Sequence, residues 1–373
     1  MTKFRRIGAG FCGTVWAEPD SSSAFKREDG GPGRSLSNDF NMHKRVIQSL
    51  EQLRCLDKNN ATVYETATAN TSSQTNLTII AIPTCHRFIT PTDTTWWDAN
   101  LAKFPEGYTS CNVIHAQRIP PMSRPVREFL IDRYCPPSIV AEIKTSDTNQ
   151  DCLIRPYLGR RRVLPTEPSQ SDDERGTGTS SRRPPRQRAF FSLRNFPLHI
   201  DQMEQLGVPF SDMEIYTRGM ADALAAMHFI ARIDANDVEF VLAPPPPFPP
   251  HNAERPSSLS QEERDDYPVI VNVLGTHTMW ILDFDCCRDI VMDDEKGLEQ
   301  VITAFLRNDP FYPRPSSSME LWRVFRVRYL WTVQEILRGK RGVDRGGLIA
   351  FAEKFVQEIE EREMEKMQRR GSS

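Results

Sequence analysis

The sequence predicts an α+β fold with two lobes, a small strand-rich lobe over residues 1–120 and a mostly helical lobe over residues 121–373. The order of the segments is the first observation, because short β-rich stretches come early and amphipathic helices dominate later. The length is the second, since 373 residues exceed what one compact core usually holds. The third is a pair of predicted disordered insertions, 165–188 and 243–268, whose removal leaves a length that suits one two-lobed domain.

The two insertions are predicted from their composition. The stretch 165–188 contains no aliphatic or aromatic residue, so it cannot bury enough surface to offset the entropy of ordering. The stretch 243–268 opens on a run of prolines around Phe248, which favours the extended polyproline II conformation. We expect this proline-rich insertion to bind a protein partner, and we expect a shorter loop over residues 27–37.

The composition of the whole chain argues against several classes of protein. Lysine and arginine number 47 against 50 aspartates and glutamates, and this near balance argues against a general nucleic-acid binder. No stretch approaches the ~20 apolar residues of a membrane-spanning helix, and no apolar run follows the basic N-terminus, so no secretory signal is predicted. The eight cysteines are therefore expected to be reduced thiols in a cytoplasmic or nuclear protein that is not secreted.

Helix and strand patterns can be placed along the chain in order. Residues 38–53 are predicted to form a helix, because Phe40, Ile47 and Leu50 are spaced for one face. Short segments rich in β-branched and aromatic residues are predicted to be strands. These segments are 77–82, 113–116, 238–242 and 280–284.

Two further helices are predicted in the second half of the chain. Ser211 and Glu214 have the spacing of a capping box, in which the serine covers an orphan amide and the glutamate reaches back. The apolar stripe that follows recurs every three or four residues and comprises Tyr216, Met220, Ala223, Leu224 and Met227. The tail from Leu348 also has a helical pattern, and its high charge predicts a helix that faces solvent.

Three glycines near the N-terminus, Gly8, Gly10 and Gly13, form the pattern Gly-x-Gly-x-x-Gly. Glycines let a backbone turn tightly and bring its amides close to phosphate oxygens, although a purely structural turn is an equal alternative. A dinucleotide-binding fold needs a strand before these glycines and a helix directly after them. Here only seven residues precede Gly8, and a strand-like segment, Thr14–Ala17, follows Gly13. This strand–loop–strand order is typical of the glycine-rich loop of protein kinases.

Lys26 follows an apolar strand segment at the distance where a kinase places its phosphate-pairing lysine. Such a lysine needs an acidic partner on the next helix, and Asp39 lies at the start of the predicted helix. Each residue also has an ordinary alternative role, Lys26 as a surface lysine and Asp39 as an acid that complements the helix dipole.

The segment after the Ser211 helix resembles the catalytic loop of a phosphotransferase. Asp234 occupies the position of the base that orients the acceptor hydroxyl, and Glu239 occupies that of the metal-binding asparagine. Asp283 ends an apolar strand, where kinases place a second metal-binding residue. Mg²⁺ accepts carboxylate oxygens readily, but Glu239 adds negative charge beside a polyphosphate unless a second cation compensates.

The order of these motifs, rather than any one of them, predicts a bilobal protein-kinase-like fold that binds ATP with Mg²⁺. In that hypothesis the site residues are the three glycines together with Lys26, Asp39, Asp234, Glu239 and Asp283. Three departures from the kinase pattern, Arg232 for histidine, Glu239 for asparagine and Asp285 for glycine, favour the alternative of a catalytically inactive pseudokinase that acts as an interaction or regulatory module. The plain alternative gives these aspartates no chemical role: Asp234 is then a turn residue, and Asp283 caps the end of a strand.

Four segments of the chain stand out by their sequence, namely 152–159, 193–198, 233–242 and 308–315. They resemble the fungal family built around domain of unknown function 3669, and the resemblance extends over most of the chain outside the two insertions. It implies a fungal source and no established activity. Members of the family are often labelled zinc finger proteins, and that label implies a nuclear regulatory protein as a further alternative.

The residues themselves do not support a zinc finger. No two cysteines are separated by two residues, and Cys286 and Cys287 are adjacent, which is poor geometry for one tetrahedral site. A fold could still gather Cys85, His86 and His277 around a metal. Ordinary buried thiols are the alternative for the cysteines.

Overall fold

The computed structural model describes residues 2–10, 12–30, 35–64, 76–162, 190–246, 267–292, 295–338 and 340–371. Within these ranges the chain forms two β-sheets and a set of helices, so the predicted α+β class is confirmed. The insertion predicted at 165–188 and most of the one predicted at 243–268 lie outside the described residues. The partner-binding role of the proline run therefore stays a prediction.

The first sheet contains five antiparallel strands in the order β1-β2-β3-β5-β4. They are β1 Arg5–Ala9, β2 Thr14–Ala17, β3 Ser23–Arg27, β4 Cys85–Ile89 and β5 Val113–Gln117. An aromatic cluster that includes Phe4, Trp16, Phe25 and Phe104 forms its core. Helix α1, Leu36–Tyr64, packs against β4 and β5. This order places β3, and with it Lys26, in the middle of the sheet.

The second sheet has five strands in the order β7-β6-β8-β10-β9. They are β6 Ile154–Tyr157, β7 Phe196–His199, β8 Glu239–Ala243, β9 Ile270–Asn272 and β10 Gly275–Leu282. Strands β6 and β7 are parallel, and the other pairs are antiparallel. The register pairs Glu239 with Leu282, so the first residue of β8 lies beside the end of β10.

The remaining helices cluster mainly around the second sheet. They are α2 Thr94–Asn100, α3 Arg124–Tyr134, α4 Val140–Thr145, α5 Ile200–Leu206, α6 Phe210–Ala226, α7 Glu295–Arg307, α8 Met319–Leu337 and α9 Arg345–Gly371. Helices α6 and α8 pack against each other, and a buried ion pair joins them, with Arg328 Nε 2.7 Å from Asp222 Oδ1. Among the helices that the structure describes, none combines the length and the apolar character needed to cross a membrane.

The segment 77–82 is not a strand, contrary to the prediction. It meets the second sheet only through a single bridge between Ala81 and Trp280. At that bridge Ala81 exchanges two backbone hydrogen bonds with β10, donating to the oxygen of Met279 and accepting the N–H of Ile281, both at 2.9 Å. Nearer the start of the segment the N–H of Thr78 donates to Asp222 Oδ2 at 2.7 Å. The segment therefore pairs with a strand at one residue, and a buried carboxylate fixes its start.

The other predicted strands are present with shifted ends. The segments 113–116, 238–242 and 280–284 correspond to β5, β8 and β10. Strand β10 ends at Leu282 because Asp283 has a φ of 64°, which a strand cannot continue through. Ala243 is the last residue of β8 and is fully buried, so the insertion predicted from this residue begins later.

The capping box predicted at Ser211 and Glu214 is wrong. Helix α6 begins directly after Pro209, whose side chain makes no capping hydrogen bond, so Ser211 already lies inside the first turn. A box of this kind occurs instead at the start of α5, where Gln202 Oε1 accepts the backbone N–H of His199 at 3.0 Å. The predicted loop over 27–37 is likewise shorter, since β3 ends within it and α1 begins within it.

The C-terminal helix is packed rather than solvated, contrary to the prediction. Helix α9 lies against α7 and α8. Its buried face comprises Leu348, Phe351, Phe355 and Ile359. Glu363 on the same helix is 1 % exposed, and it accepts a hydrogen bond from Ser316. The charged residues of this segment occupy the opposite face and obscured its apolar stripe.

Candidate functional site

A cleft of about 220 Å³ lies between the two sheets. Its roof is the β1–β2 turn and strand β3, its rear wall is the start of α1, and its floor comprises β6, the start of β8 and the end of β10. Most of the residues predicted for the site line it, namely Gly8, Gly10, Gly13, Lys26, Asp39, Glu239 and Asp283. Asp234 is the exception, because it lines a different cavity.

Lys26 is the centre of the polar contacts in this cleft. Its Nζ lies 2.6 Å from Asp39 Oδ2 and 2.7 Å from Asp283 Oδ1. Burial alone would lower the pKa of Lys26, but the two carboxylates outweigh burial and raise this pKa well above its ordinary value. The lysine is therefore a fixed positive charge, and its contact with Asp39 is the one that the sequence predicts.

Asp39 ties the start of α1 to the chain that follows β10. In addition to its contact with Lys26, its Oδ1 accepts the backbone N–H of Phe284 at 3.1 Å. The neighbouring Asn38 donates from Nδ2 to the backbone oxygen of Asp285 at 2.9 Å. Asp39 is 3 % exposed, so these hydrogen bonds fix its position from inside the fold.

Asp283 is held in a conformation that costs free energy. Its φ of 64° lies in the left-handed region, which residues other than glycine adopt mainly where the surrounding structure enforces it, often at functional sites. Burial would raise the pKa of Asp283, but Lys26 outweighs burial and lowers this pKa below its ordinary value. The side chain is therefore an ionised carboxylate at the edge of the cleft, and such an oxygen ligand suits a hard divalent cation.

Arg155 is the cleft residue that sequence reasoning missed. It forms an ion pair with Glu239 in which the side chains are 15 % and 19 % exposed, and its Nη1 lies 3.2 Å from Asp309 Oδ2. Burial raises the pKa of Glu239 against the effect of Arg155, and the charge of Asp283 contributes to the rise. The sequence left open whether a cation offsets the charge of Glu239, and Arg155 reaches Glu239 through the pairing of β6 with β8, across 84 residues of sequence.

Two glycines of the loop, Gly10 and Gly13, differ in the space that surrounds them. The N–H of Gly10 donates to the oxygen of Gly13 at 2.9 Å and closes the β1–β2 turn. A Cβ atom on Gly13 would lie 1.8 Å from the carbonyl oxygen of Arg27, whereas one on Gly10 would meet no described atom within 4 Å. The structural-turn alternative therefore applies to Gly13, and the space for a ligand lies beside Gly10.

We expect Gly13→Ala to lower the free energy of unfolding by about 2 kcal/mol, because the new methyl group forces β2 away from β3. Gly10→Ala is the matched control in the same loop, and we expect it to change the free energy of unfolding by less than about 0.5 kcal/mol. Urea denaturation of the two variants and the wild-type protein measures both values. Equal losses in the two variants would contradict the assignment of Gly13 as the structural position.

Asp234 lines a cavity other than the cleft. Its Oδ1 accepts backbone N–H groups from Asn236 at 3.1 Å and Arg288 at 2.9 Å, and its Oδ2 accepts Nε2 of Gln300 at 2.8 Å. It is 5 % exposed. The cavity that it lines measures about 510 Å³ and is bounded on its other side by α7, including Thr303.

The loop that carries Asp234 has an unusual backbone. It follows a π-helical turn, Met227–Ala231, and three of its residues have positive φ, namely Arg232, Ala235 and Asp237. The side chain of Asn308 bridges the strained part, since it donates to the oxygen of Ala235 at 3.0 Å and accepts the N–H of Asp237. Strain that neighbouring groups enforce in this way is characteristic of functional loops.

The described residues do not provide a zinc-finger site. Asp237, Asp285 and Cys286 bring ligand atoms within 4.8 Å of one another, but a structural zinc finger uses four cysteine or histidine ligands. No group of that composition occurs among the residues that the structure describes. A zinc finger therefore does not fit the donor set.

The three residues that the sequence left as a candidate metal set are not gathered either. The ring of His277 lies 2.6 Å from the hydroxyl of Tyr216 through Nε2 and bonds to the oxygen of Gly275 through Nδ1. Burial raises the pKa of the Cys85 thiol to about 11, so it is protonated and a poor metal ligand at neutral pH. His86 instead lies beside the ring of His115 in the first sheet.

Comparison with known proteins gives one family match. The model of the family DUF3669, described as a zinc finger protein, matches residues 279–341. This segment contains the second half of β10, the loop with Asp283, and helices α7 and α8. No curated protein and no solved structure matches the chain. Over residues 279–341 the chain is thus similar to a family whose zinc-finger description its described donor residues do not fit.

Proposed function

We propose that this chain is a kinase-like protein whose cleft binds ATP together with Mg²⁺. The observation that carries the proposal is the position of Lys26 Nζ between Asp39 and Asp283, beneath the glycine loop. In kinases a lysine on the third strand, held by an acid on the following helix, contacts the nucleotide phosphates. In this proposal the two sheets belong to the two predicted lobes, and the cleft between them is the nucleotide site.

The cleft has a polar end and an apolar end, as a nucleotide requires. The polar end is formed by the glycine loop, Lys26 and Asp283, where backbone amides and one ammonium group meet a polyphosphate. The apolar end has Val15 and Ala24 above and Leu153 and Leu282 below. A planar base fits between two apolar layers of this kind.

Asp283 and Glu239 are the residues that would hold Mg²⁺. Mg²⁺ takes oxygen ligands and usually binds through one or two carboxylates together with substrate phosphates. The two carboxylates are close enough for the charge of Asp283 to raise the pKa of Glu239, and a divalent cation would relieve that repulsion. When bound, the ion would neutralise the phosphate charge.

Stabilisation by the ligand tests the proposal. We expect Mg-ATP at 100 times its Kd to stabilise the fold by ~2.7 kcal/mol, measured as a rise in the midpoint of thermal unfolding. Adenosine and inorganic triphosphate, each with Mg²⁺, serve as controls that separate the apolar end of the cleft from the polar end. An unchanged midpoint at millimolar Mg-ATP would refute nucleotide binding.

Phosphoryl transfer is a second candidate function, and the position of Asp234 favours it. Its carboxylate lines a second cavity of about 510 Å³ beside α7, where an acceptor would have room. The pseudokinase alternative is favoured by the three hydrogen bonds that already engage this carboxylate. Only a measurement of turnover separates these two functions.

A further inference from the structure

The ion pair between Arg155 and Glu239 lies at the position where the proposed nucleotide site has one more negative charge than a kinase site. Glu239 occupies the position at which kinases carry a neutral asparagine. It is the first residue of β8, and Arg155 reaches it from the neighbouring strand β6. Both residues line the cleft. The carboxylate and the cation that balances it thus face the same ligand space.

The charges of the two side chains cancel. A carboxylate in place of an amide adds one negative charge beside the phosphates, and at close range in a partly buried cleft such a charge opposes the binding of an anion. Arg155 is a guanidinium and stays protonated in proteins. Its contact uses Oε1 of Glu239. The pair itself therefore presents an oxygen ligand without net charge, as an asparagine side chain does, and Asp309, which is half exposed, shares Arg155 with Glu239.

Further contacts hold Arg155 in this position. Its Nη1 lies 3.2 Å from Asp309 Oδ2, and the hydroxyl of Tyr157 donates to the same oxygen at 2.6 Å. The backbone N–H groups of Leu158 and Gly159 donate to the oxygens of residues 311 and 310 at 3.1 and 2.8 Å. The segments 152–159, 233–242 and 308–315, which stand out in the sequence, therefore meet at this ion pair.

We propose that Arg155 is a phosphate-site residue of the cleft, and that its ion pair with Glu239 replaces the neutral asparagine of a kinase metal site. The inference rests on the proposed function, because it concerns how that cleft accepts ATP and Mg²⁺. It assigns a role to a residue outside the kinase motifs. It also removes the main electrostatic objection to a glutamate at position 239.

Variants that neutralise one or both charges of the pair make the role of Arg155 measurable through binding alone. Arg155→Met leaves Glu239 unbalanced, and we expect the Kd for Mg-ATP to rise about tenfold while the Kd for adenosine changes by less than about twofold. Glu239→Gln removes the carboxylate charge, and we expect it to bind Mg-ATP at least as tightly as the wild-type protein. The double variant R155M/E239Q restores the neutral pair, and we expect its Kd for Mg-ATP to lie within about threefold of the wild-type value.

Two controls separate this role from a structural one. Arg161→Met removes an arginine that pairs with Glu204 outside the cleft, and we expect it to leave both dissociation constants unchanged. Arg155→Lys keeps the charge, and we expect it to retain Mg-ATP affinity within about threefold, which covers the case in which the methionine variant fails to fold. Isothermal titration calorimetry measures all of the values.

The outcomes distinguish the inference from the proposal on which it rests. Wild-type protein that binds neither ATP nor adenosine refutes the proposed function and the inference with it. Wild-type binding with an unchanged Kd in Arg155→Met refutes the inference alone. Equal losses of ATP and adenosine in that variant, or a double variant as weak as the single one, would show that Arg155 is only structural.

Discussion

Replacing Lys26 by methionine should remove Mg-ATP binding, with a rise in Kd on the order of a thousandfold. The side chain supplies the positive charge at the base of the cleft and makes two contacts, at 2.6 and 2.7 Å, with Asp39 and Asp283. Its loss removes a phosphate contact and also leaves two carboxylates facing each other without a cation. Both effects act against an anionic ligand, so they add rather than cancel. Isothermal titration calorimetry with Mg-ATP measures the change.

Lys103→Met is the matched control for this variant. Lys103 is also a partly buried lysine of the N-terminal half, 23 % exposed against 19 % for Lys26, and it pairs with Glu18 away from the cleft. We expect it to bind Mg-ATP as the wild-type protein does. An unchanged affinity in Lys26→Met would contradict the role given to Lys26, and a loss of the same size in both variants would point to general destabilisation.

The contact between Lys26 and Asp39 could be predicted because local sequence determines most of it. Here an apolar-x-lysine segment lies in a short strand, and a helix with an acid in its first turn follows closely. This arrangement leaves few ways to place the two side chains. Asp283 was predicted as a residue of the same site from the order of the motifs, because the end of an apolar strand is visible in sequence. Its predicted role was to hold Mg²⁺ with Glu239, and its contact with Lys26 was not predicted.

Arg155 could not be predicted because its two partners, Glu239 and Asp309, come from two distant parts of the chain. The residue lies in a strand of only four residues, between positions with no charge pattern of their own. Its proximity to Glu239 depends on which strands are neighbours in the second sheet, and short strands leave that order open. From sequence it followed only that the charge of Glu239 is unfavourable beside a polyphosphate unless a second cation compensates, and nothing indicated which group that cation is.

Two of the errors in the secondary-structure prediction have a common physical cause, because at each of these places a tertiary contact overrides the local sequence preference. The segment 77–82 has the composition of a strand, but the buried carboxylate of Asp222 takes the N–H of Thr78. Helix α9 has the charge of a solvated helix, yet Phe351 and Phe355 bury its other face. At Ser211 the capping pattern was overridden because the helix begins directly after Pro209, two residues earlier than the pattern requires. Local propensity is a weak constraint where such contacts exist.

Asp234→Asn separates the phosphotransferase from the pseudokinase. In the phosphotransferase the carboxylate accepts the proton of the acceptor hydroxyl, which an amide cannot do, and we expect turnover to fall about a thousandfold. Because Asp234 does not line the nucleotide cleft, we expect the Kd for Mg-ATP to change by less than about twofold. Release of ADP, with water as the acceptor in the absence of a known substrate, measures turnover in both proteins.

The loop can accept this substitution with one change in its hydrogen bonds, which makes the result interpretable. The asparagine oxygen still accepts the N–H groups of residues 236 and 288. Rotation of the Gln300 amide presents its oxygen to the new NH₂ group and gives up the hydrogen bond from Nε2 to the backbone oxygen of Asp289. A loss of turnover with binding intact therefore reports the missing carboxylate and identifies Asp234 as the base. Equal ADP release by both proteins would exclude that role. Tight Mg-ATP binding without ADP release by the wild-type protein would instead support the pseudokinase, in which the buried and fully engaged carboxylate of Asp234 holds the loop and performs no chemistry.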